Sequence, residues 1–419
     1  MQVKLKDVVA EFIVPMRDKP KKFDGDIPWC RIEDIQGKYL HGTLSNQFVS
    51  SETIKEMNLR VCPKNTILCT CSASIGIVAI TTTELCTNQT FIGLVPSEEL
   101  NPEYLYYYLK LCQKKLEKLA SITTIPYISR DDFKNLVIDI PERSKQDELV
   151  RILSLLDAKI ENNRTLINEL ESLARLLYQY WFLQFEFPNE EGKPYKSCGC
   201  KMVWSEELKR EIPEKFVVEN IRTKCDIIDC LHSKKPEYHY DKDEYYLLEL
   251  ENLTESGYID IGTKYYISED DYRKWTKNIE ISENDFVITN AGRTGAIGKI
   301  PKGITCALGR NFTAIRPRDI NPIYLREYFK SNYFLEQMLG NLDLGSFFKS
   351  FNVKSIKQLN ILIPEKYVLS QFTEIVAPMI SKIENNILEN IELSALRDFL
   401  LPLLMNGQVT FKDEKECPA

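Results

Sequence analysis

Short Val- and Ile-rich runs broken by Pro, Gly, Asn and Ser occupy the start of the chain: Val3 to Val9, Trp29 to Ile35, Asn65 to Ile80 and Phe91 to Pro96. Runs of this length and punctuation predict strands and turns. At Asn101 to Leu119 the apolar positions shift to helical spacing behind an Asn-Pro start, which supplies a cap and a first-turn proline. A helix packed on the sheet is expected there. LVIDIP, Leu136 to Pro141, returns to alternation as a closing strand. From Gln146 the period becomes 3.5. Leu149, Leu153, Leu156, Ile160, Asn163, Ile167, Leu170, Ala174, Leu177 and Trp181 follow at steps of four and three, predicting a helix of roughly 60 Å at a 1.5 Å rise. WFLQFEFP and the polar NEEGKPYKSCGC then end it in a linker.

The order repeats in the second half. LLELENLTESGYIDI at Leu247 to Ile261 resembles WCRIEDIQGKYL, FVITNAGRTGAIGKI at Phe286 to Ile300 resembles ILCTCSASIGIVAI at Ile67 to Ile80, and NPIYLREYF matches NPEYLYYYL at an offset of 321 − 101 = 220. LNILIP at Leu359 to Pro364 parallels LVIDIP, and a second helix carries Phe372, Val376, Met379, Ile383, Asn386, Leu393 and Leu400 on a comparable seam. The pentapeptide KIENN occurs in both helices, at Lys159 to Asn163 and Lys382 to Asn386, 382 − 159 = 223 residues apart. The chain reads as a duplicated α+β architecture: two pseudo-twofold-related α/β domains, each followed by a long coiled-coil-like helix. Residues 1–145 form the first domain, 146–187 the first helix, 188–365 a linker and the second domain, 366–407 the second helix and 408–419 a tail. Asn163 and Asn386 would hold equivalent places near the helix middles, where a buried seam Asn sets register.

Composition adds limits. At 419 residues the chain is too long for one ordinary core, so two or three domains are expected. No segment joins a basic start to an apolar run, and no stretch reaches 18 apolar residues, so no membrane span and a cytoplasmic location are expected. The twelve cysteines include no C-x-x-C, and His41, His232 and His239 are the only histidines and none stands at ligand spacing. Reduced, mostly buried thiols and no metal are the expectation; Cys198-Gly199-Cys200 in the linker is half a metal site without its second half. The formal charge of −7 is unevenly spread. The first helix carries 4 basic and 7 acidic residues and the second 3 and 5, whereas residues 287–357 carry 11 basic against 4 acidic, a local +7. A phosphate backbone would feel that field, and a solvated basic face would look the same.

Catalytic constellations find little support. NPEY resembles the Asn-Pro-Pro-Tyr of adenine methyltransferases, in which Asn and a proline carbonyl hold the exocyclic amine and Tyr stacks on a flipped base. The second proline is missing and the motif recurs as NPIY, so a helix start accounts for both copies. Gly292, Gly295 and Gly298 are spaced as neither a dinucleotide fingerprint nor a P-loop, and fit a tight hairpin. No Ser or Cys is flanked by a recognisable base, and no carboxylates form a marked pair. Binding residues are more telling. Asn290, Arg293 and Thr294 lie on a glycine-lined loop, where Arg suits guanine and Asn adenine; the first-half loop offers Ser72 and Ser74. Asn88 and Gln89, with Arg310 and Asn311, add amides and a guanidinium. Tyr127 and Arg130 in TTIPYISRDD, and Lys349 and Lys354 in GSFFKSFNVK, stand beside aromatics. Each alone reads more readily as a surface loop side chain; recurrence at equivalent positions brings a DNA-binding set level with that reading.

IPWCRIEDI, which contributes Arg31, LVIDIPERSKQDELVRILSLLDAKIENN running into ARLLYQYWFLQFEFP, the linker NEEGKPYKSCGCKMVWSEELKREIP and the ending LLPLLMNGQV resemble the specificity subunit of type I restriction–modification enzymes. The resemblance spans nearly the whole chain. It implies two target recognition domains, each reading one half of a split, asymmetric site in double-stranded DNA, with two antiparallel helices as the spacer that fixes the gap. It also implies a subunit that is not an enzyme and binds no cofactor. Two methyltransferase subunits, using S-adenosylmethionine, and two restriction subunits, using ATP and Mg, would be its partners, the former docked on the polar helix faces. A helical adaptor without sequence-specific DNA binding is the other class left open.

Overall fold

The short apolar runs of the first half produce two main sheets, beside a two-stranded one that pairs Gln2–Lys4 with Val137–Asp139. Strand Phe91–Pro96 pairs antiparallel with Val9–Ile13 on one side and Ile67–Thr70 on the other, Val78–Thr81 follows, and Tyr39–Leu40 closes the edge in parallel. The second sheet runs Phe48–Val49, Ile27–Cys30, Leu85–Thr87, Val61–Cys62, with its central pair parallel. The second half repeats this order. Cys225–Asp229, Phe312–Pro317, Phe286–Thr289 and Ile297–Lys299 make one sheet; Tyr265–Tyr266, Tyr246–Leu248, Cys306–Leu308 and Glu280–Ile281 make the other, again around a parallel pair. Most of these strands are buried on both faces, which is why they read as continuous apolar runs.

This computed structural model describes residues 2–15, 19–121, 126–239, 244–254, 257–344 and 349–409; residues 410–419 of the expected tail lie outside it. The chain divides into two compact units, Met1–Asn162 with Glu392–Ala419, and Asn163–Ile391. Each unit therefore holds one double-sheet domain, part of one long helix and the complementary part of the other.

Both Asn-Pro sequences open helices, Pro102–Leu111 and Pro322–Phe329. The Asn101 Oδ1 accepts the N–H groups of Glu103 and Tyr104, and Asn321 does the same for Ile323 and Tyr324. The Asn is thus consumed as a cap.

The first long helix covers Arg143–Tyr178 and closes through a π-helical turn, Gln179–Leu183. It ends short of the expected Phe187 because Phe185 takes a left-handed φ of 64°, turning Phe182, Phe185 and Phe187 onto Phe216. Seven of the ten seam residues are buried, and Leu156, Leu170 and Leu177 are half-buried. The second helix runs Lys366–Met405. Its seam drifts by one position, Ile380 being buried where Met379 was expected, and Leu401 and Leu404 continue it. Within the first unit Leu149, Val150 and Leu153 share a core with Leu401, Leu404 and the sheet helix. Within the second, Trp181 packs on Phe372 at a ring separation of 5.8 Å while Asn163 meets Asn390. In each unit the two helical segments run antiparallel.

Charged networks tie the helices to the domains. In the first unit Asp157, 4 % exposed, accepts from the Tyr107 hydroxyl and from Arg397 Nη1 at 2.8 Å, with Lys38 at 3.7 Å. In the second, Glu171 takes Arg326, Lys330 at 2.7 Å and the Tyr258 hydroxyl. Burial alone would raise the Glu171 carboxyl, but Arg326 and Lys330 outweigh it and hold it low. Glu327 shows the opposite balance. Its burial dominates its pairing with Arg326, Oε2 has no partner among the described residues, and its carboxyl is pushed up.

Candidate nucleic-acid interface

The hairpins that carry the glycines are built alike in both units. Thr70 Oγ1 accepts the Ile77 N–H at 2.9 Å and donates to the Ser74 carbonyl; Thr289 Oγ1 accepts the Ala296 N–H at 3.0 Å and donates to the Arg293 carbonyl. Gly76 and Gly295 close the turns at φ of 83° and 81°. A Cβ on Gly295 would strike Met338 Sδ at 1.9 Å, so both conformation and space require glycine.

Backbone hydrogen bonds gather the other candidates beside these turns. In the first unit Asn88 N–H donates to the Cys30 carbonyl at 3.2 Å, next to Arg31, and Cys71 N–H donates to Thr90 at 2.8 Å. Ile128 N–H donates to Cys71 at 2.8 Å, and Ser72 bridges Tyr127. Arg31, Ser72, Ser74, Asn88, Gln89 and Tyr127 therefore share one rim. Arg130, at the start of the helix Arg130–Lys134, is three residues beyond Tyr127 and exposed. Ser74, Gln89 and Tyr127 are exposed, whereas Arg31 is half-buried with Glu33 3.9 Å from its Nε.

The second unit reproduces the rim. Asn290 N–H donates to the Asn311 carbonyl at 2.7 Å, Phe351 N–H donates to Asn290 at 3.0 Å, and Gly309 N–H donates to Leu248 at 2.9 Å. These bonds bring Asn290, Arg293, Thr294, Arg310 and Asn311 beside the segment that carries Lys349 and Lys354. Arg310, Asn311 and Lys354 are exposed, and Asn311 sits at a left-handed φ of 64° that lifts the loop tip. Lys349 is in the strand Lys349–Ser350, and Gly345 to Phe348 fall outside the described residues.

Two candidates are engaged locally. Arg293 Nη2 donates to the carbonyls of Leu250 at 3.2 Å and of Leu253, so its guanidinium braces the turn Leu250–Asn252. Asn290 Oδ1 accepts from Thr313 Oγ1 at 2.9 Å. The local +7 is also reduced: Lys299, Arg316, Arg318, Arg326 and Lys330 are paired with Glu384, Asp285, Asp226 and Glu171. Five of the eleven basic residues in that stretch thereby face four carboxylates of their own unit that lie outside the stretch.

The seam asparagines differ. Asn163 Nδ2 donates to Glu389 Oε2 at 2.7 Å and Asn390 Oδ1 at 3.0 Å, whereas Asn386, 1 % exposed, has no partner for Nδ2 among the described residues. The duplication explains this. The residues 389 − 166 = 223 positions before Glu389 and Asn390 are Leu166 and Ile167, which offer no acceptor.

Sequence reading missed one cluster. Ligand atoms of Asp229, Cys230 and His232 lie within 4.8 Å of one another, so a histidine does stand at ligand distance. The signal was D-C-x-H at a strand end, not the C-x-x-C that was sought. The thiol expectation holds for the described residues, where the cysteines are free and eight are buried. Among the described residues no helix is long and apolar enough to cross a membrane.

The family model described as "Type I restriction modification DNA specificity domain" matches residues 1–172. The chain is 26 % identical over 422 residues to the type I restriction enzyme MjaIX specificity subunit of Methanocaldococcus jannaschii, covering 98 % of this chain and 93 % of that one. It is 33 % identical over 186 residues to the EcoprrI specificity subunit of Escherichia coli, covering 41 % and 45 %. Among solved structures, the S subunit of a type I restriction–modification system from M. genitalium superposes with a TM-score of 0.53 at 18 % identity, covering 99 % of this chain and 96 % of that one.

Proposed function

We propose that the chain, similar to the specificity subunits of type I restriction–modification systems, is one of them and that its two rims each read one half of a bipartite, asymmetric DNA site. It is the DNA-recognition subunit and not the catalyst; chemistry resides in partner subunits. The observation that carries the two-half reading is the recurrence of the double-sheet domain and its rim in the second unit, with one edge strand fewer. Exposed Arg310, Asn311 and Lys354 in one rim, and Ser74, Gln89, Tyr127 and Arg130 in the other, are the side chains best placed for base edges and phosphates. Differences between the rims at equivalent positions are what reading two different half-sites requires.

The subunit would recruit two methyltransferase subunits and, where present, two restriction subunits, with S-adenosylmethionine, ATP and Mg held by those partners. Exposed apolar side chains on the long helices, Leu155, Leu173 and Leu176 on the first and Ile375, Leu396 and Phe399 on the second, support a docking role there. Co-expression with a cognate methyltransferase subunit and genome-wide mapping of methyladenine tests the reading. A bipartite motif is expected, and methylation without any motif would return the adaptor reading.

A further inference from the structure

We propose that Asp229, Cys230 and His232 form a zinc-class metal site at the foot of the Arg310–Asn311 loop. The donors are a carboxylate, a thiol sulfur and an imidazole, the set that zinc accepts with one position left for water. His232 Nε2 and Asp229 Oδ2 are already 3.2 Å apart. Metal–ligand lengths of about 2.0–2.3 Å at tetrahedral angles place neighbouring donor atoms roughly 3.3–3.7 Å apart, so a 4.8 Å cluster closes with side-chain rotation alone.

The position gives the site a purpose. Cys230 N–H donates to the Phe312 carbonyl at 3.3 Å, and the Cys230 sulfur faces the N–H groups of Phe312 and Asn311. A metal there would fix the exit of strand Cys225–Asp229 against the root of the exposed Arg310–Asn311 tip. In the first unit the strand Val9–Ile13 exits into Val14 and Pro15, which offer no ligand atom, so among the described residues the cluster occurs in the second unit. A thiol carries its proton at neutral pH, so the Cys230 proton must pass to solvent as the sulfur–metal bond forms. None of this depends on which DNA sequence is read.

The test uses the full chain carrying Cys198→Ser and Cys200→Ser, which removes the exposed linker thiols 3.2 Å apart that would compete for the metal. Stripped of metal and titrated with cobalt(II), it should bind one equivalent with a sulfur-to-cobalt charge-transfer band, and one equivalent of zinc should displace it. Metal binding should release about one proton. Cys230→Ser should abolish the band. His232→Ala and Asp229→Asn alter side chains that are at least partly exposed and should fold normally; each should weaken zinc by about tenfold or more, since losing even an outer-shell partner costs that much. No charge-transfer band in the parent, a band that survives Cys230→Ser, or zinc affinity unchanged by His232→Ala would each overturn the site.

Discussion

Arg293 is the residue at which sequence and structure pull apart most. On chemistry alone it is the best guanine reader in the chain, yet its Nη2 is committed to two backbone carbonyls of the neighbouring turn. Arg293→Ala should therefore lower the stability of the DNA-free protein by about 1 kcal/mol, read by urea denaturation, as well as relax the second half-site while sparing the first. Loss of stability with an unchanged methylation motif would make it a brace only. The seam asparagines make a second residue-scale prediction. Asn386→Leu should raise stability by about 1 kcal/mol because it removes a buried amide without a partner, whereas Asn163→Leu should lower it by about as much or more through the lost bond to Glu389. If Asn386 sets register at a cost in stability, the double Leu variant should also shift the spacing of the methylated site; an unchanged spacing removes that role. The identity of the seam asparagines was legible in KIENN, but their unequal pairing was not. It depends on Leu166 and Ile167 lying where the other helix has Glu389 and Asn390.

At the scale of elements, the strands, the Asn-Pro helix starts and both long helices were legible because period, caps and breakers agree with the tertiary structure. Helix ends were less so. The aromatic run Trp181 to Phe187 looks helical until Phe185 adopts a left-handed backbone to fill the second domain's core. The charged anchors were illegible, since carboxylates such as Asp157 and Glu171 read as ordinary polar helix residues until the fold sets Arg397, or Arg326 and Lys330, against them. Glu171 is the stronger test. Its carboxyl is held below the ordinary value of about 4.5, so it contributes stability that is fully present above that pH and is lost as pH falls through the lowered value. Glu171→Gln should cost about 3 kcal/mol at neutral pH and flatten the decline of the urea midpoint below pH 4.5. A variant as steep as the parent in acid would show that Glu171 is not what titrates there.

For the whole molecule, duplication is the organising fact, and it was readable from the offsets of 220 and 223 residues between repeats before any coordinates. What could not be read was which loop residues share a rim, because that follows from cross-strand bonds such as Cys71 to Thr90 and Asn290 to Asn311 that join distant segments. Nor could the +7 stretch be discounted without seeing five of its cations paired. The central claim is that each unit's rim reads its own half-site. The most direct measurement is methyladenine mapping after residues 1–145 are replaced by the same domain of another specificity subunit, the second unit's domain being left intact. A bipartite motif in which one half changes and the other is retained is expected; an unchanged motif, or both halves altered together, would contradict separate reading by the two rims.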